Sequence, residues 1–520
     1  MTLHAVGVKN LRALVDSEFI ELKPITLLVG KNSVGKSTFA RVFPLLRQSN
    51  EEKRRAPVLW WGKYVDFGSF RDAVHRNADV REVSLCFDIM LEPESEPFLM
   101  DPWWSQTLPL AGPTRFQLEV AFACGSDDNT YIKRTEIRAD GMSCTVHTSQ
   151  NMAVEKIICG DVNWTPSTDV SAHGAAGELL PMVTFFRHFR AKDRTFRKPQ
   201  NPFIAELNDS IRKLAHPKTK DETIAQIVNL VPLGSGAEVL SALQAVNGSS
   251  TWKKNTSKLR TTSPELTHIR ELVWLAHLEE VFSSLNSEIR TFSKGVRYLE
   301  PLRATAQRYY RVQELAVDEV DSKGANLAVF IHSMQAFDRD RFNEWLKTHL
   351  GFEVRSVPDG GHISLRVRFV DDNDDTNLTD TGFGMSQVLP IATQLWSSQA
   401  MRPRRGSDNA PTCFVVEQPE LHLHPAFQEK IADLFVASLE ASSSAKQNPM
   451  RIVAETHSSS LINRLGELVA EGRIDRDDVQ VVMFDQTSVS APVKIQISQF
   501  DEEGVLQNWP YGFFASGKSQ

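Results

Sequence analysis

The alternation of apolar and polar residues divides the chain into stretches of different character. Residues 3–9 alternate weakly and predict a strand, which Asn10-Leu11-Arg12 interrupts and residues 17–22 resume. Ile25–Val29 is apolar at nearly every position and stops at Gly30, the pattern of a strand buried on both faces. Thr38–Phe43 then opens a helix. Val83–Leu91, Phe116–Ala123, Tyr131–Ile137 and Cys144–His147 are strand-like runs separated by turn-rich segments such as Gly125–Asn129 and Asp140-Gly141. They predict an antiparallel β lobe. Between residues 202 and 292 the spacing becomes helical, as in Ile269, Leu272, Val273, Leu275, Leu278, Val281, Phe282 and Leu285. No heptad repeat is sustained, so long coiled-coil arms are not expected.

Val296–Leu299 returns to strand character and Leu327–Leu350 predicts a helix. Pro358-Asp359-Gly360-Gly361 between two apolar runs predicts a hairpin. A helix from about Val388, a strand at Thr412–Val416, a helix from Pro425, a strand at Arg451–Glu455 and a helix from Ser459 then alternate. That alternation predicts a parallel α/β sheet. The expected organisation is residues 1–199 (glycine loop and β lobe), 200–294 (a compact helical insertion) and 295–520 (the rest of the α/β core).

Composition excludes some classes. The net charge of −7 rules out a polycation built to coat nucleic acid, so any such contact needs a local patch. The five cysteines are scattered and form no CxxC, against a disulfide framework or zinc knuckle and in favour of a reducing, cytoplasmic setting. No apolar run is long enough to predict a membrane span.

The chemistry concentrates at Gly30-Lys31-Asn32-Ser33-Val34-Gly35-Lys36-Ser37, a GxxxxGKS sequence between a predicted strand and a predicted helix. Gly30 and Gly35 permit backbone angles and approaches that a Cβ would block. Loop amides, including those at Asn32 and Ser33, and the helix start then face phosphate oxygens. Lys36 adds charge near the β- and γ-phosphates of ATP, Ser37 can ligate Mg²⁺, and Thr38 follows it. Cys413–Glu417 is an apolar strand ending in an acid, and Glu417 is the expected holder of the Mg²⁺ water shell. Asp380–Gln387, with Gly384, Ser386 and Gln387, precedes a helix. Ala454–Ser458, with His457, follows a strand, and Leu421–Pro425 carries a His-x-His without further Cys or His partners.

In this order the segments resemble those of ABC-type ATPases: P-loop, signature, Walker B, D-loop, histidine switch. With "VDFGSFRDAVH", "YLEPLRA" and "WPYGFF" added, the chain resembles the ABC/SMC branch of AAA-annotated ATPases, specifically OLD-like and Septu- or retron-associated (PtuA-like) phage-defence ATPases. The resemblance covers about the first ninety residues and nearly everything after 295. It implies an ABC-type (SMC-like) P-loop ATPase in which two copies pair head to tail, with ATP between one P-loop and the other copy's Ser386-Gln387. It also implies that Arg12 lies near the nucleotide. One departure stands out: where hydrolytic relatives carry a Glu after the Walker B acid, this chain has Gln418. An amide can position water but cannot take its proton at neutral pH, so turnover is expected to be slow unless Glu420 or His457 substitutes.

No second catalytic constellation accompanies the ATPase, and Asp475, Asp477 and Asp478 read as a solvated turn. The implied function is an ATPase subunit of an anti-phage complex that controls a separate nuclease or toxin. The alternatives are a DNA-repair ATPase that binds DNA directly, or an ATP-bound scaffold. Residues 185–198 interleave Arg187, His188, Arg190, Lys192, Arg194, Arg197 and Lys198 with Phe185, Phe186, Phe189 and Phe196. This reads either as a partly buried amphipathic segment or as a nucleic-acid contact.

Overall fold

A computed structural model describes residues 3–52, 55–93, 108–174, 177–191, 194–311, 317–400, 411–444, 449–488 and 491–509. Lys192 of the 185–198 stretch, the basic residues Arg402, Arg404 and Arg405, and residues 510–514 of the "WPYGFF" segment lie outside these.

The centre is a six-stranded sheet in the spatial order Val296–Leu299, Cys413–Glu417, Arg451–Glu455, Ile25–Gly30, Val479–Asp485, Lys494–Ser498. The first five run parallel and the last is antiparallel. Each strand divides its side chains between two apolar layers. In the P-loop strand Leu28 enters one layer, while Ile25, Leu27 and Val29 enter the other. Cys413 and Val415 likewise part from Phe414 and Val416. Burial on both faces is why these strands read as continuous apolar runs rather than as alternation.

One layer is covered by the helices Phe383–Ala400, Pro425–Ser444 and Ser459–Ala470. The other is shared with the β lobe, a nine-stranded antiparallel sheet. Its meander from Val83 to Trp164 joins the core through Leu3–Leu11, which pairs with Val83–Leu91. The helices between Pro202 and Lys294 pack into this same layer. Phe292 meets Phe43 beside the P-loop helix, and Trp274 meets Phe116 of the lobe. The architecture is the expected α/β core with an antiparallel lobe.

The hairpin forms as its turn chemistry predicts. Asp359 pairs with His362, and Gly360 and Gly361 both take positive φ, +51° and +86°. Two helices differ from expectation. The one predicted over Leu327–Leu350 is split at Met334 and Gln335, both extended, with Met334 buried in the core. The one predicted from about Val388 starts at Phe383, which changes what its first turns can present.

Candidate nucleotide site

The C-terminal ends of the parallel strands converge on the glycine loop, where ligands of open α/β sheets bind. Gly30 ends its strand at φ +151°, and a Cβ there would lie 2.3 Å from the Phe484 carbonyl oxygen. Gly35 opens the helix at φ +105°, with Leu14 within 2.6 Å of where a Cβ would sit. Between them Asn32 and Ser33 are exposed, and Ser33 has φ +67°. Lys36 is buried and donates to the carbonyls of Gly30 (3.0 Å) and Lys31 (2.6 Å). Its ammonium therefore lies beneath the loop, where burial lowers its pKa against the pull of Glu455 and Glu420. Ser37 is half-buried and Thr38 buried in the first helical turn.

Glu417 is in the expected place, at the end of Cys413–Glu417, but its carboxylate is not free. Its Oε1 accepts from Arg41 Nε (2.7 Å) and Tyr298 Oη (2.6 Å), and its Oε2 from Arg41 Nη2 (2.8 Å). The expectation is an acid open to Mg²⁺; in this structure protein donors engage both of its oxygens. Arg41 follows the short P-loop helix Lys36–Ala40, so the pair ties that helix to the neighbouring strand. The carboxylate holds the Arg41 guanidinium above its usual range, and burial pushes the Tyr298 phenol up.

Glu455, opposite Glu417 in register and one strand nearer the P-loop, has a different environment. Its Oε1 is 3.8 Å from Lys36 Nζ, and its buried Oε2 has no hydrogen-bond partner. Burial raises its pKa, opposed by Ser37 and Lys36.

Gln418 takes φ +45°, and its N–H donates to the Glu455 carbonyl (2.8 Å). A glutamine in this left-handed region is held there by its surroundings. Arg303 donates to the carbonyls of Glu417 (3.1 Å) and Gln418 (3.5 Å). Burial lowers the Arg303 pKa to about 10. Glu420 bridges to the histidine loop, its Oε1 accepting from His457 N (2.7 Å) and its Oε2 from Thr456 Oγ1 (3.0 Å). The exposed His457 has its pKa lowered by partial burial and then by Lys36, which favours the neutral imidazole.

Arg12 takes φ +49° and stacks on Phe67, 4.6 Å from the ring centre, with a bond to the Asp66 carbonyl (3.1 Å). The "VDFGSF" segment thus positions it, and the charge of Arg41 is near enough to lower its pKa after burial.

The signature segment differs from the expectation in where its helix starts. Because the helix begins at Phe383, Ser386 and Gln387 lie within its first turns, 4% and 1% exposed. The Ser386 hydroxyl donates to its own helix at the Phe383 carbonyl (2.6 Å). The surface here is Gly382, Phe383 and the half-buried Gly384. Phe383 meets His422 edge-on at 4.8 Å, which holds the helix start against the loop after Glu417. Arg41, Tyr298, Arg303 and Glu455 were not expected at the site. Tyr298 and Arg303 both belong to the "YLEPLRA" segment, whereas Arg41 had no local signal.

These elements define the class: a glycine-loop nucleotide-binding domain with acids and a histidine at the ends of adjacent parallel strands. The chain belongs to the AAA ATPase domain family, whose model matches residues 1–153 and 178–462. Among solved structures it is similar to the Smc head domain with an extended coiled coil bound to the C-terminal domain of ScpA from Pyrococcus furiosus. That match has 12% identity, covers 95% of this chain and 96% of the other, and has a TM-score of 0.36. It is also similar to the SMC head domain from Thermotoga maritima, with 8% identity, 95% and 98% coverage and a TM-score of 0.34. No curated protein matches the chain. Among the described residues no helix is long and apolar enough to cross a membrane.

Proposed function

We propose that the chain binds Mg-ATP at the glycine loop, pairs with a second copy around the nucleotide and hydrolyses it slowly. The observation that carries this is the Gly30–Lys36 cradle, with Lys36 beneath it and Glu417, Glu455 and His457 at the adjoining strand ends. The loop amides and Lys36 would take the phosphates, and Ser37 with a strand-end acid would hold Mg²⁺. When bound, that ion supplies positive charge to the β- and γ-phosphate oxygens. The buried carboxylate oxygen of Glu455 without a donor fits a cation there. The second copy would approach with Gly382–Gly384 rather than Ser386, since the latter is turned inward. Gln418 can orient water but accepts no proton. On the resemblance of its motifs, the ATP-held pair controls a separate nuclease or toxin in an anti-phage assembly. The test is sedimentation with Mg-ATP. Wild type should stay paired through the run. Gln418→Glu, gaining roughly 10²-fold in turnover from a proton-accepting acid, should pair and then fall back to monomers. A single species whatever the nucleotide would refute the reading.

A nucleic-acid contact at residues 185–198 is the second part of the proposal. Thr184–Ala191 and Arg194–Pro199 form a hairpin in which Arg187 faces Lys198 and His188 faces Arg197. Like charges directly opposite destabilise a ribbon, so the arrangement favours a polyanion as partner. Phe189 and Phe196 face each other beside the Arg187–Lys198 pair and are 44% and 53% exposed, offering stacking faces. Arg187→Glu makes an opposite-charge pair with Lys198. It should stabilise the fold by ~0.2–1 kcal/mol. The same variant should weaken single-strand binding and flatten its log–log salt slope by about 0.7 per lost contact. Unchanged binding in a fluorescence titration would leave only the packing role.

A further inference from the structure

We propose that Glu455, the acid ending Arg451–Glu455, is the carboxylate that serves the divalent cation of the bound nucleotide, and that Glu417 is structural. This rests on the Mg-ATP reading above and goes beyond it by naming the acid. The two residues end neighbouring strands in register, so backbone placement does not separate them. Their commitments do. Glu417 gives both oxygens to Arg41 and one also to Tyr298, at 2.6–2.8 Å. A bidentate guanidinium–carboxylate pair of this kind is among the strongest side-chain contacts, and its charge is already balanced. Opening it to a metal would strand Arg41 beside Arg12, whose field already reaches it.

Glu455 is the reverse case. Its strand lies directly against the P-loop strand, pairing Glu455 with Leu28, two residues before Gly30. Its side chain is 4% exposed, and the nearest cation, Lys36, spends hydrogen bonds on the loop carbonyls and remains 3.8 Å away. The Ser37 side chain adjoins it. One oxygen is left buried with no donor. Such an oxygen costs free energy unless a ligand supplies the missing charge. The Ser37 hydroxyl beside this carboxylate is the one that P-loops use for Mg²⁺. A purely structural Glu455 would act only as counter-ion to Lys36, and would not make the effect of metal depend on this side chain.

The experiment compares ATP affinity in excess Mg²⁺ and in EDTA, by fluorescence of a labelled ATP, with Mn²⁺ binding to the ATP complex read by EPR. Wild type should bind at least about tenfold more tightly with metal. Glu455→Gln should keep the EDTA affinity or improve it, lose the metal-dependent gain to within about twofold and weaken Mn²⁺ uptake. Glu417→Gln should keep the gain. Should Glu455→Gln fail to fold, Glu455→Asp decides, with an intermediate gain expected. A full metal-dependent gain in Glu455→Gln, or in Glu455→Asp where that variant decides, overturns the assignment, as does its loss in Glu417→Gln. Absence of ATP binding by wild type would instead remove the reading on which it rests.

Discussion

Lys36→Ala abolishes ATP binding at micromolar nucleotide and, with it, ATP-driven pairing. Phe383→Asp keeps binding and loses pairing. The first expectation follows from what Lys36 does in the fold. Its ammonium is buried, bonds two carbonyls of the loop and is the nearest cation to Glu455. Alanine removes the charge that phosphates would meet and leaves Glu455 facing them alone. Losing one or two charge-assisted hydrogen bonds costs about 3–4 kcal/mol, several hundredfold in affinity. Phe383 is the first residue of its helix and is 45% exposed. An aspartate there suits the helix dipole, so the fold is kept. In a head-to-tail pair, however, it sets a negative charge against the other copy's triphosphate. Equilibrium dialysis and sedimentation on both variants check the two halves. Near-normal ATP affinity in Lys36→Ala would end the nucleotide assignment. ATP-dependent pairing in Phe383→Asp would end the placement of the partner at this helix start.

How much of this could be read from the chain depended on whether a signal was local. Gly30, Gly35 and Lys36 were legible because a phosphate loop needs those residue types at fixed spacing, and a buried strand before them confirms the context. The parallel core was legible because strands covered on both faces become apolar runs, as in Phe414-Val415-Val416. The inward turn of Ser386 was not. Gly382 looks like a helix breaker, yet at φ +92° it immediately precedes the helix, so the helix began earlier than the apolar rhythm suggested. Arg41 and Glu417 are 376 residues apart, and no spacing rule reaches across that distance. The same holds for Glu455. In sequence it is one more acid after an apolar strand; only the order of strands sets it beside Lys36 while Glu417 is taken by another partner.

That partnership leads to the other large effect expected: Arg41→Ala destabilises the protein more than Glu417→Gln does. The two residues are unequally buried, with side chains 31% and 2% exposed. Removing Arg41 leaves a carboxylate in the interior with only the Tyr298 hydroxyl, close to a second acid at Glu455. Breaking a buried pair in that direction costs about 3–5 kcal/mol. Glu417→Gln leaves the guanidinium instead, which water can reach, and keeps one amide oxygen for it. Its cost should be nearer 1–2 kcal/mol. Tyr298→Phe removes one hydroxyl and should cost about 1–2 kcal/mol. In a double-mutant cycle Arg41 and Glu417 should couple by more than ~1 kcal/mol, as directly bonded residues do. Urea titrations of the four proteins supply the numbers. If Glu417→Gln were the more damaging change, or the coupling were absent, Glu417 would not be the anchor that ties the P-loop helix to the neighbouring strand. The division of labour between the two acids would then have to be abandoned.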